Sequence, residues 1–366
     1  MINKAEETSM IQSHTPALRL PSRRRFLAGA AALGAGTMLT SGGLLAQGPA
    51  GRVIDVHHHY FPPAFKEAFV KYLTDTKQPA LPPFVANWTP QWTLERMDAA
   101  KVNFSVLSIA SVPANWFGLD KASMGRLVRS CNEFAAKMVS DHPSRFGLFA
   151  SIPIPDVEGS LKEIAYALDT MKADGITMAT SFGDKWPGHP DFNEVFAELN
   201  RRKAIVYFHP YAPNCCGGLM PDVQESWIEY PYDTGRTVTN LLFTGTLNRY
   251  PDIKWMFSHG GGAIPYLAGR IKTQSRVVKN LGDVAPKGTD FELQRLYYET
   301  ANAAYAPTLA ALSKYVPMSN ILYGSDLPYV SLEQNLEGIR SFGFSPQDLA
   351  AIEHGNAERL IPRLKA

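Results

Sequence analysis

Residues 53–61 read VIDVHHHYF. The first half is apolar and rich in β-branched residues, which suits a buried strand, and the second half places three imidazoles at its end. Side chains two apart on a strand face the same way. On that alternation His57 and His59 point together, Asp55 shares their face, and His58 points toward the opposite layer. Two imidazoles on one side of a strand can chelate one metal ion, provided other parts of the chain complete the shell.

Working outward, similar apolar runs recur at 103–109 (NFSVLSI), 145–153, 175–179, 204–210 (AIVYFHP), 253–262 (IKWMFSHGGG), 295–300 and 320–328 (NILYGSDLP). Helical stretches alternate with them. Thr89–Pro90 supplies an N-cap and a first-turn proline, and further helices are predicted near 120–141, 157–172, from Pro190, over 235–250 and in the tail 346–364. Eight strands alternating with helices over about 270 residues is the pattern of parallel β–α–β units. A doubly wound open sheet and an eight-fold α/β barrel both fit. Strand count and a length near the usual ~250 residues favour the (β/α)8 TIM barrel. Residues 51–366 read as one such domain, with 60–90, 211–234 and 279–294 as insertions in its connections.

Several strands end in a polar residue just where the apolar run stops: His57 and His59 on the first, His209 on the fifth, His259 on the sixth and Asp326 on the eighth. In a barrel these C-terminal strand ends meet at one mouth. An H-x-H pair, a third imidazole and a carboxylate make a mixed nitrogen and oxygen shell suited to Zn²⁺ or a similar divalent ion. Glu299, ending the seventh strand, is either a support for one of these histidines or a buried salt-bridge partner. Trp92 and Tyr211, with Trp88, Trp116 and Trp186, lie in or near the loops and could wall a planar substrate.

Composition narrows the field. The 366 residues are 45% hydrophobic and 19% charged with a formal net charge of +2, so nucleic-acid binding has no electrostatic basis. Neither a G-x-S-x-G nucleophile elbow nor a phosphate-binding glycine loop occurs after residue 50. Ser22-Arg23-Arg24-Arg25-Phe26-Leu27 resembles a twin-arginine export signal, read as an address and not an anchor. Residues 1–50 are therefore expected to be an export signal and linker, cleaved near Ala46 or Gln47, delivering a periplasmic protein with no membrane partner. The three cysteines, Cys131, Cys215 and Cys216, lack metal-site spacing and read as free thiols.

The motifs IDVHHHYFPP, VYFHP, FSHGGG and YGSDLP, in this order, resemble the amidohydrolase superfamily. More narrowly they are similar to its branch of aminocarboxymuconate semialdehyde decarboxylase and methylsalicylate-type aromatic-acid decarboxylases. LERMDAAKVNFSVLSI, NEFAAKMVSDHPSRFGLFASIPIPD and GNAERL extend the resemblance over residues 52–362. It implies His57, His59, His209 and Asp326 as ligands of one divalent ion, Zn²⁺ or Mn²⁺. It implies His259 as the acid/base group, with Asp326 sharing the delivery of a proton. The expected activity is a metal-dependent carboxy-lyase acting on an aromatic or unsaturated carboxylic acid. The alternative is a hydrolase of a lactone, an amide or a ketone-activated C–C bond at the same site. The branch often holds the substrate carboxylate with arginines, some offered across a homodimer interface, for which Arg270 and Lys287 are the candidates. No lysine ends the fourth strand, and Lys185 falls in a loop, which argues for one metal rather than two.

Overall fold

Each of the eight apolar runs is a strand of one sheet. The structure, a computed structural model, describes residues 51–109, 114–220 and 222–365; the expected export signal lies outside them. The strands are β1 (Ile54–His59), β2 (Phe104–Ser108), β3 (Phe146–Ser151), β4 (Gly175–Ala179), β5 (Ile205–His209), β6 (Lys254–Phe257), β7 (Tyr297–Glu299) and β8 (Ile321–Leu322). They pair in parallel in sequence order from β1 to β8. Backbone bonds close the ring, from Val56 N to Tyr323 O (3.0 Å), Asp326 N to His57 O (2.9 Å) and His59 N to Leu327 O (2.9 Å). The result is a (β/α)8 barrel.

The longer helices are α1 (Pro63–Asp75), α2 (Pro90–Ala100), α3 (Lys121–Asp141), α4 (Val157–Ala165), α5 (Asn193–Arg201), α6 (Glu225–Phe243), α7 (Ile264–Gln274), α8 (Ala306–Tyr315) and α9 (Leu332–Ser341). Strands buried on both faces are what parallel β–α–β units require. One face fills the barrel with Ile54, Val56, Phe104, Val106, Phe149, Tyr207, Met256 and Leu322. The other, including Leu107, Leu148, Ile176, Val206 and Phe208, packs on apolar helix faces such as Leu127, Val128 and Met138 of α3. No helix among the described residues is long and apolar enough to cross a membrane.

Two expectations change. Residues 225–234, read as part of an insertion, are the first half of α6, with Pro231 inside the helix. A proline normally ends a helix because it lacks an N–H and crowds the preceding turn. Here the carbonyl of Pro231 accepts the N–H of Ala263, tying the helix to the turn after β6. The other two insertions also carry helix: α1 in the first, and short turns at Leu281–Val284 and Thr289–Gln294 in the last.

The second change concerns phase on β1. Ile54 and Val56 face the barrel interior, so strict alternation would send His58 inward. Pairing with β2 sets Asp55 opposite Ser105 and His58 opposite Leu107, three residues of advance against two. This bulge inserts one residue and flips the phase, a device that re-aims side chains. His57 and His59 consequently turn into the mouth. Asp55 does not share their face as the sequence suggested; its carboxylate meets His58 Nδ1 at 2.9 Å on the other side.

Candidate metal centre

Three strands deliver the polar cluster. His57 and His59 come from the bulged end of β1, His209 is the last residue of β5, and Asp326 follows β8. All four are buried, and one ligand atom from each lies within 4.8 Å of the others. The His57 ring stands 4.7 Å from that of His59 and 5.0 Å from that of His209, centroid to centroid.

The hydrogen bonds on the far side of each ring fix which nitrogen faces the centre. His57 Nδ1 donates to Glu299 Oε1 at 2.8 Å, His59 Nδ1 to the carbonyl of Ser108 at 3.2 Å, and His209 Nδ1 to the carbonyl of Pro210 at 3.0 Å. Each acceptor is an oxygen, so in the neutral rings Nδ1 carries the proton and Nε2 the lone pair. His57 Nε2 and His59 Nε2 stand only 2.9 Å apart. Asp326 Oδ1 is 3.3 Å from the first and 3.1 Å from the second. Two lone pairs at that separation repel unless a cation lies between them. The donor set therefore fits a divalent ion: three Nε2 atoms, one carboxylate, no water-facing side chain.

Charge distribution tells the same story. Burial alone would lower the His57 pKa, but the carboxylates of Glu299 and Asp326 outweigh it and raise it to about 10. A proton on His57 takes the cation's role when the site is bare. Burial drives His59 and His209 down, keeping them neutral as ligands must be. Burial opposes the Asp326 charge, yet the His57 and His59 contacts hold it well below the usual carboxylate range.

Glu299 is both at once: it supports His57 and is its buried ion-pair partner. Its buried carboxylate accepts from His57 Nδ1, from Tyr207 Oη (3.3 Å), and from the backbone N–H groups of His259 (2.9 Å) and Ala301 (2.6 Å). Glu299, His57 and His259 also approach within 4.8 Å of one another. The Glu299 bond to Nδ1 orients the ring and strengthens its Nε2 as a ligand. Tyr207, which nothing in the sequence pattern singles out, completes this support from β5.

His259 follows β6 in the turn His-Gly-Gly-Gly, its ring 5.1 Å from His57 and 5.5 Å from His209. Its Nδ1 donates to the carbonyl of Ala301 at 2.9 Å, which leaves Nε2 as the proton-exchanging atom. His259 (φ 52°) and Asp326 (φ 66°) both adopt left-handed backbone, which is uncommon outside glycine and collects at functional sites. The glycines serve approach: a Cβ on Gly262 would strike the carbonyl of Pro231 in α6.

The remaining candidates scatter. Arg270 is exposed on α7, and Lys287 is exposed with its ammonium 4.7 Å over the Phe291 ring; neither touches the cluster. Trp92 is half-buried against the helix-layer core, as Trp88 and Trp116 are buried in it. Tyr211 is half-buried two residues beyond His209, its N–H donating to Thr180 Oγ1. Trp186 Nε1 donates to buried Asp233 on α6. The aromatic wall beside the ligands is instead Tyr329, 5.6 Å from the His59 ring, with Phe61 and Phe84 against it. Tyr329 and Phe84 were missed, although Tyr329 directly follows the motif YGSDLP that carries Asp326. Lys185 pairs with Asp191 away from the cluster, and all three cysteines are free.

A parallel eight-stranded barrel with a buried divalent-metal site at the C-terminal ends of its strands defines the class. The chain belongs to the amidohydrolase family, whose model matches residues 54–363. It is 34% identical over 326 residues to a 6-methylsalicylic acid decarboxylase of Aspergillus aculeatus, covering 85% of this chain and 96% of that one. A crystal structure of an amidohydrolase II superposes with a TM-score of 0.76 at 29% identity, over 85% of this chain and 99% of the other. The fold is also that of a dihydroxybenzoic acid decarboxylase from Polaromonas with bound manganese (TM-score 0.74, 19% identity, 86% and 98% covered).

Proposed function

We propose that this chain is a metal-dependent carboxy-lyase that removes CO₂ from a small aromatic carboxylic acid of the 6-methylsalicylate kind. The observation that carries the reading is the buried cluster of His57, His59, His209 and Asp326 with His259 beside it. It occurs in a chain 34% identical to a 6-methylsalicylic acid decarboxylase over most of both lengths. His57, His59, His209 and Asp326 would hold one divalent ion. Imidazole-rich sets suit zinc, and manganese is the ion in the Polaromonas relative. When bound, the ion supplies a Lewis acid for the substrate carboxylate or its neighbouring oxygen.

The chain's own residues do the rest. His259, anchored through Nδ1, delivers a proton from Nε2 to the ring carbon that bears the carboxylate, and Asp326 is the second group able to pass it. The C–C bond to the carboxylate then breaks, its electron pair returns to the ring, and CO₂ leaves. Phe61, Phe84 and Tyr329 offer an apolar side for the planar ring.

The homodimer is supported by exposed apolar residues. Trp227 and Tyr232 on α6, Tyr266 on α7 and Val277 beyond it are 66%, 50%, 86% and 82% exposed. Arg270 stands one helical turn after Tyr266, hence on the same face. We assign it to the substrate carboxylate in the neighbouring subunit's site. Trp92 and Lys287 are engaged elsewhere, so Tyr211 and Tyr329 are the aromatic contacts we assign. Export to the periplasm rests on residues 22–27. Replacing Arg23 and Arg24 by Lys should abolish export, and unchanged export would refute it.

Incubation with a panel of hydroxybenzoates and lactones tests the activity. CO₂ release with the phenol as product is expected; acid release from lactones without CO₂ would establish the hydrolase instead. Tyr266→Glu should give monomers by sedimentation. It should also lower turnover, as should Arg270→Ala.

A further inference from the structure

We infer that Asp55 and Ser325 form a buckle across the barrel's closing seam that sets the spacing between the β1 ligands, His57 and His59, and the β8 ligand, Asp326. This rests on the metal reading of the site and adds a pair of positioning residues to it.

The seam is where the barrel most needs one. β8 contributes only Ile321–Leu322 to the regular sheet, and its pairings run to β7, not β1. On the other side, β1 carries the bulge between Asp55 and His58, which interrupts regular pairing. Yet three of the four ligands straddle this junction, and metal geometry tolerates little drift.

One carboxylate fills the gap. Asp55, fully buried, accepts four hydrogen bonds. From its own strand come the His57 N–H (3.0 Å) and His58 Nδ1 (2.9 Å). From across the seam come the Ser325 N–H (2.9 Å) and hydroxyl (2.6 Å). The bulge that turns His57 and His59 into the mouth is thus held by the same group that grips the residue before Asp326. Ser325 spreads the grip: its hydroxyl lies 3.1 Å from the His57 carbonyl and accepts the N–H of Leu327 at 3.1 Å. Its own carbonyl accepts from Asn335 Nδ2 on α9 at 2.7 Å. Gly324 lets the chain come this close, since a Cβ there would collide with the Glu299 carboxylate and the Cβ of His57.

His58 therefore has a role that neither coordination nor packing describes. Its Nδ1 saturates the fourth position on Asp55, while its Nε2 is buried without a hydrogen-bond partner. A buried carboxylate gripped by four hydrogen bonds from two strand ends is fixed in place. A group so held can transmit position rather than charge.

The test compares Asp55→Asn and Ser325→Ala with the wild type in three measurements: Co²⁺ affinity by titration, the visible absorption spectrum of the Co²⁺-loaded protein, and thermal stability without metal. The amide keeps the shape but cannot accept at both atoms, and the alanine deletes the cross-seam hydroxyl. Either change should weaken Co²⁺ binding by about 10–100-fold, as loss of a ligand's support does, and should shift the spectrum. The double variant should be little worse than the weaker-binding single, because both act through one bridge. Ser325→Ala alone decides the matter where Asp55→Asn does not fold. Unchanged affinity and spectrum beside a lowered melting temperature would overturn the inference and leave a purely structural pair. A wild type that takes up no Co²⁺ would instead overturn the metal reading, and this one with it.

Discussion

The lower and upper halves of the barrel interior are built from the same strands and obey opposite rules. Ile54, Val56, Phe149, Met256 and Leu322 plug the lower half. A few residues further along the same chain segments, His57, His59, His209, Glu299 and Asp326 occupy the upper half. Below, any well-packed apolar set would do. Above, the carboxylates of Glu299 and Asp326 are met by His57 and His59, because an unmet buried charge costs several kcal/mol. Stability and chemistry are thus separated along the strand axis, and the bulge in β1 marks the border.

Substitutions at the two levels should separate just as cleanly. The largest expected effect is at the top: His59→Ala should reduce both metal content and CO₂ release to background while the metal-free melting temperature changes little. Phe149→Ala, in the plug, should cost about 3–5 kcal/mol of stability, read by denaturant unfolding, with metal stoichiometry intact. A plug variant that lost metal without losing stability would break the division. Next, Glu299→Gln should weaken metal binding by about 10–100-fold through the slackened His57 ring, which a competitive chelator titration measures.

The pH dependence sharpens the same contrast. In the metal-free protein the His57 pKa is raised from 6.5 to about 10. Its charged form thus contributes stability in full below about pH 6.5, and that contribution fades as pH climbs toward 10. Metal binding needs the neutral ring, so affinity moves the other way, rising with pH through the same window. Melting temperatures with and without metal should therefore diverge as pH rises; convergence would contradict the assignment. The smallest effect belongs to the rim, where Tyr329→Leu should raise KM by about tenfold or less with kcat nearly unchanged in steady-state assays.

Much of this is legible in the amino-acid sequence. Apolar runs of strand length between amphipathic helices specify a parallel barrel, and polar residues at strand ends mark its mouth, because both follow from local periodicity. His57, His59, His209 and Asp326 were found that way, and Glu299 was noted with its role undecided. The phase of β1 was not legible. Counting alternation from His57 gave the correct pair, but counting from Ile54 gives His58, and only the bulge reconciles them. A bulge is settled by the register with β2 and the grip of Ser325, both distant in sequence. Asp55 was placed on the wrong face for that reason. The helical start of α6 was hidden by Pro231, a residue that normally ends a helix and here sits inside one. Tyr329 and Phe84 were missed because convergence of loops from β1 and β8 is a tertiary fact.

The most direct test of the central claim is to strip the protein with chelator, restore one equivalent of Mn²⁺ or Zn²⁺, and follow CO₂ release from 6-methylsalicylate and its hydroxybenzoate relatives. The account expects no turnover in the stripped protein, recovery that saturates at one ion per chain, and no recovery in Asp326→Asn. Turnover that persists without metal, or recovery that requires two ions, would contradict it.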